Sequence, residues 1–217
     1  MELKQKKMNN FQIIKPFGPS ILKVTIPDQI ISDMNIYVDE IIVNKKKSEN
    51  LNYGNKLVGN VNQEFYLEEE FMKKTKWAEF LGSAVQQWLH KQTGKELKEF
   101  KIIKSWIVRQ FKNEYNPVHI HGGDVSGVGY LKVPNSFGQT IQSNNKVNKN
   151  GNLELIYGTK QFLSDSSFPI IPEVGYFYFF PHYMMHAVYP FSGTNEERRS
   201  ISFNAKIDEK LFNVYGN

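Results

Sequence analysis

The chain contains no cysteine among its 217 residues. This absence excludes disulfide bonds, cysteine-rich zinc sites and a cysteine nucleophile. It leaves the redox compartment open, because a chain without thiols folds in an oxidising or a reducing environment.

Long apolar runs are also missing. No stretch approaches the ~20 apolar residues that a membrane-spanning helix needs. The N-terminal segment "MELKQKKMNN" is polar and has no apolar core after its lysines, so it does not resemble a signal peptide. We therefore expect a soluble, cytoplasmic protein without a membrane partner.

Charge of one sign is not concentrated anywhere. The formal net charge is a modest +5, and the lysines are scattered along the chain rather than gathered in one basic block. Weak attraction to acidic partners follows, but nucleic-acid binding is not indicated. The length and the 40% hydrophobic content are sufficient for a sizeable core.

The N-terminal hundred residues predict one strand and two supporting helices. Residues 21–27 are strand-like, and apolar residues then recur at helical spacing over 28–44. A second amphipathic stripe predicts a helix over 70–92, with Gly94 as its C-cap. The stripe of the second helix consists of Trp77, Phe80, Leu81, Ala84, Val85, Trp88 and Leu89. We interpret these apolar and aromatic residues as core packing.

After residue 100 the periodicity changes from 3.6 to 2. Short runs such as "FKIIKSWIVRQF", "GNLELIYG" and "RRSISFNAKI" are rich in β-branched and aromatic residues and are separated by Gly, Pro and Asn. Residues 135–152 are polar and predict a long loop. We expect one domain over 1–217, mostly β, with supporting N-terminal helices in 1–100, a β-sandwich or barrel in 101–207 and a tail in 208–217.

Histidine is scarce, yet two of the five histidines are only two positions apart. His119 and His121 share one face if the backbone is extended, with Cβ atoms ~7 Å apart, so both imidazoles can reach one metal ion. A third ligand must come from a distant strand. His182 and His186 follow an aromatic strand, whereas we expect His90 to be solvated near a helix end.

Four separated motifs in 102–205 extend this pattern. They are the histidine pair, then "SGVGYLKVP", then "VGYFYFFP" with His186 six residues beyond its final Phe, then "RRSISFN". Their order resembles the iron(II)- and 2-oxoglutarate-dependent oxygenases. It is most similar to a branch in phages and marine bacteria that carries "H-x-H", "SGVYYLKVP", "GD-FP---H-V-P" and "R-S-SFN". The resemblance implies a double-stranded β-helix, or jelly roll, and the cytoplasm of a phage-infected bacterium becomes a conceivable location.

The resemblance also implies the metal ligands. His119 matches the first ligand and His186 the distal one. The position usually held by a carboxylate carries His121, which departs from the two-histidine, one-carboxylate triad. Asp124 is the alternative, because a turn at Gly122-Gly123 could bring it inward. Three neutral imidazoles would leave the iron more positive.

For the cosubstrate, the resemblance implies an arginine that holds the far carboxylate of 2-oxoglutarate. Strand alternation places Arg198 and Ser200 on one face, with Arg199 on the other, apolar face. We therefore expect Arg198 as the anchor, Ser200 as its hydroxyl partner and Tyr130 as a further hydrogen-bond donor.

The implied activity is hydroxylation of an unknown substrate, either a protein side chain or a small molecule. Oxygen and 2-oxoglutarate are consumed, and succinate and CO2 are released. Two alternatives stay open: a cupin-like metal enzyme without 2-oxoglutarate, and an inert jelly-roll binding module. Only a 2-oxoglutarate enzyme needs Arg198 and Ser200 to face the metal. A homodimer is also left open.

Overall fold

The structure, a computed structural model, describes residues 11–15, 18–54, 58–140 and 147–212. Its strands are β1 (Phe11–Ile14), β2 (Ile21–Thr25), β3 (Gln63–Tyr66), β4 (Phe100–Gln110), β5 (Asn116–His119), β6 (Val125–Lys132), β7 (Leu153–Ile156), β8 (Ser167–Ile170), β9 (Tyr176–Pro181), β10 (Met185–Val188) and β11 (Arg198–Ile207). Its helices are α1 (Asp28–Val43), α2 (Lys45–Leu51), α3 (Glu69–Lys74), α4 (Trp77–Thr93) and α5 (Glu209–Phe212).

The strands form two antiparallel sheets. The larger has seven strands in the order β1-β2-β9-β6-β11-β4-β3, and the smaller has four in the order β5-β10-β7-β8. After residue 100 the chain crosses repeatedly between the two sheets, with only β7 and β8 consecutive in the smaller one, which is the winding of a jelly roll. The prediction of a mostly β fold with a jelly-roll core is therefore confirmed.

The larger sheet has two chemically distinct faces. Its outer face packs against α1 and α4, because the apolar stripe of each helix is buried there together with Phe177, Ile201 and Phe203. Its inner face is turned toward the smaller sheet and shares a cavity with it. The predicted role of the two helices, support of one sheet from outside, is confirmed.

The second predicted helix is interrupted. The sequence pattern predicts one helix over 70–92, but α3 ends at Lys74 and α4 begins at Trp77. The Thr75 hydroxyl donates to the Phe71 carbonyl at 2.9 Å, and Lys76 adopts a left-handed conformation with φ 60°. The prediction was wrong here because the spacing of apolar residues carries no signal of a break in the helix at Thr75 and Lys76.

The "SGVGYLKVP" motif has a packing explanation. Gly127 and Gly129 lie in β6 opposite the aromatic strand β9. A Cβ atom at Gly127 would be 2.4 Å from the Phe177 ring, and one at Gly129 would be 2.3 Å from it. Glycine at both positions therefore allows the Phe177 ring to lie flat against β6 beneath the helices.

None of the helices in the described ranges is both long and apolar enough to cross a membrane.

Candidate metal and cosubstrate site

Three of the predicted site residues meet at one point. His119 ends β5 and is the cross-strand partner of His186 in β10, while His121 lies two residues beyond the strand. The Nε2 atom of His121 is 3.2 Å from that of His119 and 3.2 Å from that of His186. The ligand atoms of all three side chains lie within 4.8 Å of one another.

The other ring nitrogen of each imidazole fixes the tautomer. Nδ1 of His119 is 2.7 Å from the Pro117 carbonyl, and Nδ1 of His186 is 2.9 Å from the Met184 carbonyl. Because a carbonyl oxygen only accepts hydrogen bonds, each Nδ1 carries the proton and each Nε2 presents a lone pair.

Asn204 of β11 orients the third imidazole. Its side-chain oxygen is 2.7 Å from Nδ1 of His121 and accepts a hydrogen bond from the Ser126 hydroxyl at 2.9 Å. Such outer contacts orient metal ligands and raise their basicity. Strand alternation places Asn204 on the predicted face, but its role could not be predicted from sequence.

The imidazoles are held neutral. Burial, with smaller contributions from the neighbouring histidines, lowers the pKa of His121 to about 2. Burial also lowers the pKa of His186 to about 4 and that of His119 below its ordinary value. Three neutral nitrogens whose lone pairs point at one another repel unless a cation lies between them. Ligand nitrogens ~2.1 Å from such an ion, at right angles, would be ~3 Å apart, which matches the two 3.2 Å separations.

Asp124, the alternative to His121, lies elsewhere. Its Oδ2 accepts a hydrogen bond from the Ile207 backbone N–H at 3.0 Å, so the carboxylate is used at the end of β11. His182 is also outside the cluster: its ring Nδ1 is 3.2 Å from the Asp124 carbonyl. His90 is half-exposed beside Glu96 at 2.9 Å. Among described residues, the metal-binding geometry thus includes His121 and excludes Asp124.

Arg198 begins β11 on the inner face and is 1% exposed. Its NH1 donates to Gln110 Oε1 at 3.0 Å and lies 3.4 Å from the Ser200 hydroxyl. Its Nε and NH2 atoms and the Tyr130 hydroxyl are buried without a hydrogen bond of good geometry, although the Tyr130 hydroxyl and the guanidinium are near enough to interact electrostatically. The guanidinium carbon lies 5.0 Å from the centroid of the Tyr130 ring.

No described carboxylate pairs with Arg198, although burial lowers the pKa of its guanidinium. An arginine remains charged even so, because its pKa is far above the physiological range. A buried, unpaired charge costs several kcal/mol. The unpaired donors of Arg198 and Tyr130 therefore have the chemistry to bind a carboxylate.

The two groups open into one cavity. Its walls include the three histidines, Arg198 and Ser200, together with apolar side chains of both sheets. The cavity has a volume of about 40 Å³, which is space for a few water molecules. Side chains in its wall must therefore shift before a five-carbon diacid can bind between the histidines and Arg198.

Comparison with known proteins agrees with this site. Residues 104–204 match the model of a family described as "Putative 2OG-Fe(II) oxygenase". A search of curated protein sequences gave no match.

Solved structures with the same fold include a prolyl-4-hydroxylase from Pseudomonas putida, at 15% identity and TM-score 0.54, covering 86% of this chain and 92% of that one. A prolyl hydroxylase from Trichoplax adhaerens, in complex with a peptide fragment of the hypoxia inducible factor oxygen degradation domain, has 14% identity and TM-score 0.53 and covers 96% and 88%. SnoN, a non-heme alpha ketoglutarate dependent epimerase from nogalamycin biosynthesis, has 12% identity and TM-score 0.57 and covers 90% and 82%.

At these identities the solved structures show the fold alone. The family match over residues 104–204, the shared fold and the three converging imidazoles together support the 2-oxoglutarate/Fe(II) oxygenase superfamily. They support an oxygenase with Fe(II) and 2-oxoglutarate as cofactors, and the histidine triad fits iron binding. The chain's relation to the phage and marine branch stays a prediction.

Proposed function

We propose that the protein is a hydroxylase in which His119, His121 and His186 hold Fe(II) and Arg198 holds 2-oxoglutarate. The single observation that carries this proposal is the buried Arg198, whose Nε and NH2 lack partners in the cavity that the three histidines line.

Each side chain has a separate task. The three neutral imidazoles would supply three nitrogen ligands to the metal. Arg198 offers two parallel N–H donors to the far carboxylate of 2-oxoglutarate, and Tyr130 adds an O–H donor. Gln110 holds NH1 of Arg198, so the guanidinium keeps its orientation before the cosubstrate binds.

When bound, iron and 2-oxoglutarate supply the oxidising chemistry, in which oxygen oxidises both the cosubstrate and a C–H bond of the substrate. The chain contributes a small cavity with several apolar side chains in its wall. Phe180 and Val128 are almost fully buried in its wall, and they exclude water from the region between the metal ligands and Arg198.

The ligand set and the anion receptor separate the alternatives. Three histidines alone would also suit a cupin-like enzyme without 2-oxoglutarate. Such an enzyme has no use for a buried, unpaired arginine in the same cavity, and neither has an inert binding module. The vacant donors of Arg198 and Tyr130 therefore favour the 2-oxoglutarate enzyme.

The substrate class is proposed from similar proteins. Two solved structures with this fold are prolyl hydroxylases, and one of them holds a peptide. A third is an epimerase, so the fold alone does not select hydroxylation. We propose a protein side chain as the substrate.

The test is a thermal unfolding experiment without oxygen. Fe(II) and 2-oxoglutarate together should raise the melting temperature more than the sum of their separate effects. A ligand that binds only the folded state stabilises it by about 2.7 kcal/mol at a hundred times its Kd, which is large enough to measure. Oxygen should then yield succinate from the wild type and not from His186→Ala. Stabilisation by the metal with no added effect of 2-oxoglutarate would contradict the proposal and favour the cupin-like alternative.

A further inference from the structure

A long groove lies beside β4, outside the metal cavity. It runs between the first half of β4 and the start of the helical layer, α3 and α4, with a volume of about 1040 Å³. Five lysines line it, against two glutamates. We call it the lysine groove, and its lysines are Lys73, Lys76, Lys98, Lys101 and Lys104.

Most of this positive charge is unneutralised. Lys73 pairs with Glu69 at 3.0 Å. The other four lysines make no ion pair with any carboxylate in the described ranges. A concave surface lined by charges of one sign raises the local concentration of an oppositely charged ligand.

The groove also follows a free strand edge. On one side β4 pairs with β11 along its whole length, from Phe100 to Gln110. On the other side β3 pairs only with residues 106–109 of β4, after which the Leu67 N–H bonds the Ser105 carbonyl and the chain turns into α3. Within the described part of the chain, residues 100–104 have no strand on the groove side. Their backbone groups are free to pair with an extended peptide.

The floor of the groove is apolar. Leu67, Met72, Phe100 and Ile102 contribute to its lining, and Gly82 of α4 leaves room for the Phe100 ring, which an added Cβ would approach to 3.3 Å. The apolar floor and the basic rim suit an extended peptide in which apolar and acidic residues alternate, because successive side chains of a strand point to opposite faces.

One end of the groove lies near the histidine cluster, with Trp106 between them. The ammonium group of Lys104 lies 5.1 Å from the centroid of the Trp106 ring. The Trp106 ring is in turn 5.5 Å from the imidazole of His121. An extended segment in the groove would therefore be directed toward the histidine cluster.

We propose that the lysine groove binds an extended acidic segment of a protein substrate, which adds a strand to the free edge of β4 at residues 100–104. The inference rests on the proposed function, since it names the substrate class of that oxygenase. A peptide backbone is favoured over a nucleic acid because the groove offers a strand edge above an apolar floor, whereas its described residues present no stacked aromatic platform.

The first test measures charge. A fluorescein-labelled peptide of alternating Glu and Val is titrated with the full chain, and fluorescence anisotropy reports Kd, both without ligands and with Mn(II) and 2-oxoglutarate. Lys98→Glu/Lys101→Glu should weaken binding by about tenfold or more, because each exposed pair contributes up to ~1 kcal/mol and reversal also adds repulsion. The control Lys112→Glu/Lys160→Glu changes the net charge equally, outside the groove, and should leave Kd within about twofold.

The second test measures strand addition. A peptide added to one sheet edge donates only alternate N–H groups to it. N-methylation of one alternating set of residues should abolish binding, while methylation of the other set should be tolerated. Equal effects of the two sets would overturn strand addition.

Other outcomes overturn the proposal as well. These are no detectable binding, equal weakening by the groove and control variants, or tighter binding of a labelled single-stranded oligonucleotide that the groove variant abolishes. The titration without Mn(II) and 2-oxoglutarate measures binding of the peptide to the groove alone, whether or not the chain binds metal or cosubstrate. Failure of the hydroxylase proposal is therefore distinguishable from failure of the groove proposal.

Discussion

The two faces of the seven-stranded sheet are made by alternate residues of the same strands, yet they differ in how buried polar groups are paired. On the outer face, Arg199 is 2% exposed and uses its whole guanidinium. It bonds Glu197 at 2.6 Å, Asp39 at 2.7 Å and Asn35 at 3.0 Å. Glu197 also accepts from Arg109 at 2.8 Å.

The inner face is the opposite case. Four buried side-chain atoms lack a hydrogen-bond partner among the described residues, and all four lie on this face: Oε2 of Glu64, the Tyr130 hydroxyl, and Nε and NH2 of Arg198. Adjacent arginines in one strand thus have opposite environments. The outer face therefore contributes stability, whereas the inner face leaves buried polar groups unpaired, at a cost in stability.

The largest effect should come from the proposed metal ligands, the three histidines that line the cavity next to the inner face. We predict that His186→Ala weakens Fe(II) binding by more than ~100-fold, because even the loss of an outer-shell partner typically costs 10–100-fold. The fold should persist, since the change removes one of three mutually repelling lone pairs. Isothermal titration with Fe(II) under argon checks this.

The matched control is His182→Ala, which alters a nearby histidine outside the cluster and should bind Fe(II) as the wild type does. Full iron occupancy in His186→Ala, or equal losses in both variants, would show that the imidazole cluster is not the metal site.

A stability effect should come from the outer face. We predict that Arg199→Met lowers the free energy of unfolding by about 3 kcal/mol, because it leaves buried Glu197 with Arg109 as its remaining cation. Urea unfolding of the two proteins measures this difference. The Kd for 2-oxoglutarate should change by less than a few-fold, and an unchanged stability with a large loss of cosubstrate affinity would reverse the assignment of the two faces.

Glu64 offers a pH-dependent test of the inner face. Burial raises the pKa of Glu64 from 4.5 to about 7, with smaller opposing effects of Lys104 and Glu114. The folded state therefore holds this proton more tightly than the unfolded state, and stability declines as pH rises from 4.5 to 7. We expect a loss of roughly 3 kcal/mol across this range.

Glu64→Gln cannot titrate at this position and should lose that part of the pH dependence, as measured by urea unfolding at about pH 5 and about pH 8. Glu99→Gln, at an exposed position, is the matched control and should follow the wild type. Identical pH profiles for wild type and Glu64→Gln would mean that Glu64 is paired in solution.

The sequence allowed much of this to be predicted. The jelly roll followed from the change of periodicity and the order of four motifs, and strand alternation separated Arg198 from Arg199. The spacing favoured His121 and left Asp124 as the alternative, because the sequence carries no signal that Asp124 accepts a hydrogen bond from the Ile207 N–H.

Other features of the site depend on backbone and side-chain contacts that no pattern predicts. The Met184 carbonyl that fixes the tautomer of His186 has no sequence signal, and neither has the role of Gln110.

The helix α2 was missed because "NKKKSEN" is polar throughout. It forms because the Asn44 side chain accepts a hydrogen bond from the Lys47 N–H at 3.0 Å, which caps the new helix.

The most direct test of the central claim is a calorimetric titration of 2-oxoglutarate into the Mn(II)-loaded wild type, Arg198→Ala and Arg198→Lys, with Arg199→Lys as the matched control. Arg198→Ala should raise Kd tenfold or more, since a charge-assisted contact contributes ~1.5–3 kcal/mol. Arg198→Lys should recover only part of the affinity because an ammonium cannot form the two-pronged contact, and Arg199→Lys should bind within a few-fold of the wild type. Equal losses at positions 198 and 199, or no binding of 2-oxoglutarate by the wild type, would contradict the account.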